Sequence, residues 1–346
     1  MFVKASLIGG AAASLLLAPQ FVEDLRRGAS EGEERTRTIE ASREMSVVDM
    51  IISMNGEELP PEMLGDVEST SIDSFSATLH DVFSAADGGR ATRFVRTYRG
   101  LSGNSAMEGG MMEMMGESDL DRSLSSELEG EEVIFTWDAE AEEYTAAFPE
   151  ESTADEELLE DLVGDLEMAE FLPRAAVSVG DEWDIDLEHF ELIVEPGGEF
   201  HLTPEGEEVQ FDEMEEQIEE ADVEPTYEGS LIGKLLSVEE RIATIEITAE
   251  IEMLLDLSGV IDPMTQEMEG MELLITPVEL VVERTAEGTG TLLWDLEKGR
   301  MISLEFEAEV VEISTNSVEI EVMGETMEQY QEVTQEGTVQ VSCTIE

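Results

Sequence analysis

The residues whose type and spacing come nearest to a chemical site are methionines. Met107, Met111, Met112, Met114 and Met115 place five thioethers within nine positions. Thioether sulfur is a soft ligand that selects Cu(I), and this is the one metal reading the sequence supports. The plainer reading is that methionine, of which the chain has 19, is a flexible hydrophobe that closes over apolar surface. Histidine offers less: His80, His189 and His201 are the full set, and none belongs to an HExxH pair. A GxSxG nucleophile elbow and a phosphate-cradling glycine loop are both missing. Carboxylates are so frequent that no single pair stands out as a glycosidase acid and base. The stretches Asp119 to Asp121 and Asp181 to Asp186 could hold a cation loosely, but they lack the Asp-x-Asp-x-Asp-Gly order of a calcium loop. No catalytic residue and no cofactor are therefore expected.

Arg90, Arg93, Arg96 and Arg99 are four basic residues within ten positions of a chain otherwise poor in them. The strand period of two sends Arg90 and Arg96 to one face and Arg93 and Arg99 to the other, so they do not form one patch. Neutralisation of neighbouring carboxylates is the expected role, with a clamp for an anionic ligand as the alternative.

Charge is the dominant property of the composition. With 17 Lys plus Arg against 85 Asp plus Glu, the 346-residue chain carries a formal charge of −68. That excludes nucleic acid as a default partner and argues against docking on an anionic membrane surface. Lysine is confined to Lys4, Lys234 and Lys298. An acidic surface of this kind suits a salty medium, where screening quiets self-repulsion, and halophilic adaptation is the expectation. At 41% hydrophobic residues the chain still builds a core. Cys343 is the single cysteine, so no intramolecular disulfide forms.

The elements that would position a site fall in order along the chain. Residues 1–20, with Lys4 followed by an apolar run to Ala18, read as a signal peptide or N-terminal anchor, the run being shorter than the roughly 20 residues a bilayer needs. The expected location is the periplasm or cell envelope. Residues 21–37 read as a polar linker and 38–346 as a single mainly-β domain, with a flexible Met/Gly/acidic insert at 100–130. A hairpin is expected around Ala86 to Gly89 and another across Val133 to Trp137 and Tyr144 to Phe148. Leu158, Leu159, Leu162, Val163 and Leu166 predict an amphipathic helix over 154–170, ended by Pro173. Gly180-Asp181 predicts a strand-turn-strand corner with Trp183 buried beyond it. Val209, Met214 and Ile218 would line a short acidic helix in 206–222.

From Thr226 the pattern is strand after strand: 227–236, 242–257, 271–286, 288–294, 301–313, 318–323 and 338–345, apolar on one face and acidic on the other. The fold class is α+β and mainly β. An antiparallel, strongly curved sheet, half-barrel-like and packed on one amphipathic helix, is the architecture expected, with a β-sandwich as the alternative.

Several phrases resemble those of uncharacterised exported, acidic, β-rich proteins of planctomycete-type bacteria. They are Asp87 to Arg90 with Arg96-Thr-Tyr98, Glu129 to Trp137, Phe171-Leu-Pro with Val179 to Trp183, and Gly290 to Arg300. These are turns and corners, so the resemblance implies export and fold, and carries over no catalytic residue.

Three readings of function follow. The first is an exported, non-enzymatic protein that binds an apolar small molecule or a partner's apolar segment. The groove would be lined by Ile245, Ile247, Leu280, Val282, Leu292, Trp294, Leu304 and Phe306, with Trp183 at the rim. The second is a structural or envelope-associated acidic protein without a ligand. The third is a hydrolase with a carboxylate site. Loosely bound cations fit all three, and the sequence does not fix an oligomeric state.

Overall fold

The structure is a computed structural model and describes residues 22–23, 25, 28–60, 69–109, 120–164, 168–204, 223, 225–260, 264–268, 271–322 and 325–346. The signal or anchor segment 1–20, the acidic segment 206–222 and Met111, Met112, Met114 and Met115 lie outside the described residues.

Strands account for most of the described chain. They are Val22–Glu23 (β1), Glu34–Met54 (β2), Glu57–Glu58 (β3), Ser69–Asp87 (β4), Arg90–Gly109 (β5), Leu120–Ser125 (β6), Glu132–Asp138 (β7), Glu143–Ala147 (β8) and Val177–Ser178 (β9). The second half adds Glu182–Ile185 (β10), Thr203–Pro204 (β11), Thr226–Glu239 (β12), Ile242–Asp256 (β13), Met264–Met268 (β14), Met271–Asp295 (β15), Arg300–Val322 (β16) and Glu325–Ile345 (β17). Fifteen of them form one unclosed sheet, in which β10-β12-β13-β15-β16-β17-β2-β4-β5-β6-β11 is the main path. β1 and β9 make a separate two-stranded pair. Every pairing is antiparallel, and the C-terminal strand β17 lies between β16 and β2, joining the two halves of the chain.

Alternation explains why one face of this sheet is dry. On β13, Ala243, Ile245, Ile247, Ala249 and Ile251 are buried on the inner face. Glu246 and Glu250, at the intervening positions, point the other way. β16 repeats the pattern with Leu304, Phe306, Ala308 and Val310. The inner face is covered by residues 148–164 and 168–204, whose Met168, Phe171, Phe190, Ile193 and Phe200 complete the core. Apart from the short β1-β9 pair, all the described strands belong to this one sheet.

Three expectations need correction. The helix over 154–170 is not formed. Its described residues hold a 3-10 turn at Glu156–Leu159 and begin another at Ala169–Phe171, with Asp161 at φ +55° between them. The reason lies in who takes the carbonyls. Those of Val163 and Gly164 accept hydrogen bonds of 2.7 and 3.1 Å from the buried Arg96 guanidinium, whereas a helix would commit them to its own N–H groups. A Cβ on Gly164 would also lie 2.7 Å from the Tyr144 side chain. Leu158, Leu159, Leu162 and Val163 still pack on the core, so the apolar stripe marks burial without marking helix. The one α-helix among the described residues is the single turn Glu191–Val194 (α1), preceded by a 3-10 turn at Leu187–Phe190.

The second correction concerns the polar linker. β2 begins at Glu34, and Arg35 and Arg37 are 1% exposed, so residues placed in a linker are part of the sheet. The third concerns the insert at 100–130. β5 runs on to Gly109, and Gly103 to Met107 pairs with Leu120 to Leu124, so both flanks are strand.

The strands expected at 271–286 and 288–294 are one, as are 301–313 and 318–323. Gly288 and Gly290 are not turn residues here. A Cβ on either would come within 2.5 to 2.7 Å of Phe306 or the Glu305 carbonyl, so they mark close approach between strands. Pro277 is tolerated inside β15 because it sits at a register shift against β16.

Candidate ligand cavity on the inner face

The expected groove residues divide into two groups. Ile245, Ile247, Leu292, Trp294 and Leu304 are fully buried and Phe306 is 3% exposed, so this part of the inner face is filled by protein. Leu280 and Val282 lie further along β15 and are half-buried. Trp183 is half-buried rather than sealed. Its indole N–H donates to the Phe171 carbonyl at 2.8 Å, and its ring lies against Gly233 where a Cβ would clash. It borders a separate open cleft with Leu25, Leu172, Pro173 and Leu231. Met107 stands on β5 opposite Leu120. No group of three or more metal-ligating side chains occurs among the described residues. Asp181 has a local role, accepting the Ser178 N–H at 2.8 Å across the Gly180 turn.

Charge enters the inner face in two places. The first is around Asp81 on β4. Arg96 on β5 is its direct cross-strand partner and binds it bidentately, from Nε to Oδ1 at 2.8 Å and from Nη2 to Oδ2 at 3.2 Å. Arg37 on β2 approaches the same carboxylate at 3.1 Å. All three are at most 1% exposed. Burial alone would raise the Asp81 carboxyl, but the charges of Arg96 and Arg37 outweigh it and hold it below the usual carboxylate range. Phe94 and Phe135 lie within cation-π distance of Arg96, 5.3 and 4.9 Å from ring centre to guanidinium carbon. From Phe94 on, β5 keeps period two, with Phe94, Arg96 and Tyr98 buried; before it, where the register against β4 shifts, Ala91 is buried, Arg93 is exposed, and Arg90 stacks 3.5 Å over Trp137 and pairs to Glu170.

The second place is around Glu312 on β16, whose cross-strand partner is Arg284 on β15. Arg284 donates from Nε at 3.0 Å and Nη2 at 2.7 Å, and Arg43 on β2 donates from Nη2 at 2.9 Å. All three bonds converge on Oε2 of Glu312. The two arginine side chains are 37% and 32% exposed, against 11% for Glu312. Arg43 and Arg284 border a cavity of about 250 Å³ between the sheet and α1. Ala41, Ala286, Ala308, Val310 and Val339 line it from the strands, Phe75 at one side, and Phe190 and Val194 from above.

Two further carboxylates face this cavity. Asp73 accepts the Ser105 hydroxyl at 2.7 Å. Glu195, just past α1, has its carboxyl pushed up by burial and by neighbouring Glu191, against the opposing pull of Arg284 and Arg43. Glu191 in turn accepts the Tyr227 hydroxyl, and burial together with that bond raises the tyrosine.

Sequence reasoning passed over Arg43, Arg284 and Glu312. A signal was present: each interrupts an inward apolar series, Arg284 between Val282 and Ala286, Glu312 after Val310, and Arg43 between Ala41 and Met45. The convergence itself depends on register across three strands that are far apart in sequence.

No family model and no curated protein matches the chain. Among solved structures it aligns with an outer membrane channel from Pseudomonas putida F1, at 7% identity and a TM-score of 0.21, covering 93% of this chain and 98% of that one. It also aligns with OccAB4 of Acinetobacter baumannii, at 7% identity and a TM-score of 0.16, covering 91% and 99%. The β domain of the Bordetella autotransporter BrkA gives 9% and 0.10, covering 88% and 99%. TM-scores this low carry no argument for a shared fold or activity. No helix among the described residues is long and apolar enough to cross a membrane.

Proposed function

We propose that this is an exported, non-enzymatic protein of the cell envelope that binds an apolar or amphiphilic small molecule in the cavity between the sheet and α1. The supporting observation is the cavity itself, apolar on its floor and cover and polar at one end. Its volume of about 250 Å³ is just below the roughly 300–1,000 Å³ common for ligand pockets. It corresponds to roughly eight water volumes, room for an alkyl chain with about as many carbons. The half-barrel-like curvature expected of the sheet, the envelope location and the membership among exported proteins of planctomycete-type bacteria belong to the same proposal. Native mass spectrometry of protein purified without detergent, followed by lipid extraction, looks for the cargo, and a fluorescent fatty-acid probe looks for the site. A co-purifying amphiphile displaced by the probe supports the reading; absence of both cargo and probe binding rejects it.

A structural envelope protein without a ligand is the second reading. It is favoured by the complete burial of Ile245, Ile247, Leu292, Trp294 and Leu304, which leaves no groove along that part of the sheet.

A further inference from the structure

We infer that the ligand is a medium-chain carboxylate, its chain laid on Ala286, Ala308 and Val310 and its carboxylate held by Arg43 and Arg284; this rests on the ligand-binding reading above. The geometry at Glu312 carries the inference. Two guanidiniums converge on a single carboxylate oxygen, Oε2, through three N–H groups. A planar guanidinium holds five donors, and Glu312 takes only some of them. Arg43 spends one of its own on Glu312 and Arg284 two, while both side chains remain about one-third exposed, 37% and 32%. Their remaining donors stand at the cavity's polar end, where an anionic head can meet them in the fork geometry that suits a carboxylate.

The other charged groups at the site limit the inference without reversing it. Asp73, the cross-strand partner of Arg43, accepts the Ser105 hydroxyl, and burial and Glu191 raise the Glu195 carboxyl against the pull of the two arginines. A cationic head would have to enter beside two arginines, and a neutral hydroxyl would forgo the charge-assisted bonds. Selection for an anion rests on the unspent guanidinium donors at short range, since surface fields are screened within about 10 Å at 0.1 M salt.

The test compares three probes of equal chain length by isothermal titration calorimetry at fixed salt: octanoate, 1-octanol and octyltrimethylammonium. Octanoate should bind about tenfold or more tightly than octanol, and the ammonium should show no binding. Arg43→Gln should weaken octanoate about tenfold and leave octanol unchanged. Glu312→Gln should tighten octanoate, because it frees both guanidiniums; a merely structural role for Glu312 gives the opposite sign. Octanol binding as tightly as octanoate overturns the carboxylate inference while leaving the apolar cavity in place. No binding by any of the three overturns both. If either variant does not fold, the comparison of probes on the natural protein decides the matter alone.

Discussion

Asp81 and Glu312 each hold two arginines on the inner face of the same sheet, and they differ in what surrounds them. At Asp81 the guanidiniums are sealed among Phe83, Phe94 and Phe135, and Arg96 fills its remaining valence with the carbonyls of Val163 and Gly164. At Glu312 the guanidiniums reach the edge of a cavity and spend only some of their donors. The same chemical types thus form a fixed internal strut in one place and, in the other, stand at the cavity where the proposed ligand would meet them. Burial and the number of donors already used separate the two roles.

The comparison breaks most readily at Asp81. Asp81→Asn leaves Arg37 and Arg96 buried beside a neutral amide, and removing one partner of a buried ionic group costs about 3–5 kcal/mol. Chemical denaturation should show that loss, and a cost below about 1 kcal/mol would put the buried cluster on the same footing as the exposed one.

Salt sharpens the contrast. The melting temperature should rise as sodium chloride goes from low concentration to about 1 M, where the Debye length is about 3 Å and surface repulsion fades. Over the same range the Arg43–Glu312 coupling energy from a double-mutant cycle should shrink, while that of Arg96–Asp81 should hold. Equal salt responses of the two pairs would remove the distinction.

Truncating the exposed partner is expected to have a smaller effect. Arg43→Gln should cost about 0–1 kcal/mol of stability, measured by the same denaturation curves. A loss as large as that of Asp81→Asn would make Arg43 a strut rather than a receptor.

The shallowest effect is in pH, and its sign differs between the clusters. Glu195 is raised in the folded protein, so the fold holds its proton more tightly than the unfolded chain does. Stability therefore falls as pH rises from the ordinary glutamate range through the raised folded value, and Glu195→Gln should flatten that slope. Asp81 is lowered, so its contribution is complete above the ordinary aspartate range and is lost only as pH falls through the folded value. Denaturation midpoints from strongly acidic to neutral pH, in the natural protein and in Glu195→Gln, check both signs.

Much of the fold is legible in the sequence because alternation and turn chemistry are local. Ile245, Ile247, Leu304 and Phe306 declare their face by period two, and Asp87 to Arg90 and Asp295 to Arg300 declare their turns. The missing helix over 154–170 was not legible in the same way. What decides it is Arg96, some 67 positions from Val163, taking carbonyls that local propensity assigned to a helix. The glycines at 288 and 290 misled for a related reason: read locally they end a strand, whereas cross-strand packing against Phe306 requires them inside one. The candidate site was the least legible part. Arg43, Arg284 and Glu312 meet only through the pairing of β15, β16, β17 and β2, and pairing registers of that range are not written in any local pattern. The groove residues inferred from hydrophobicity alone turned out mostly to be core, since hydrophobicity marks burial and leaves open whether protein or ligand does the burying.

The most direct test is a crystal of the protein soaked with 8-bromooctanoate and measured at the bromine edge. The account predicts an anomalous peak in the cavity beneath α1, near Phe75, Phe190 and Val310, with the carboxylate at Arg43 and Arg284. Bromine bound only elsewhere, or an empty cavity at saturating ligand, would contradict it.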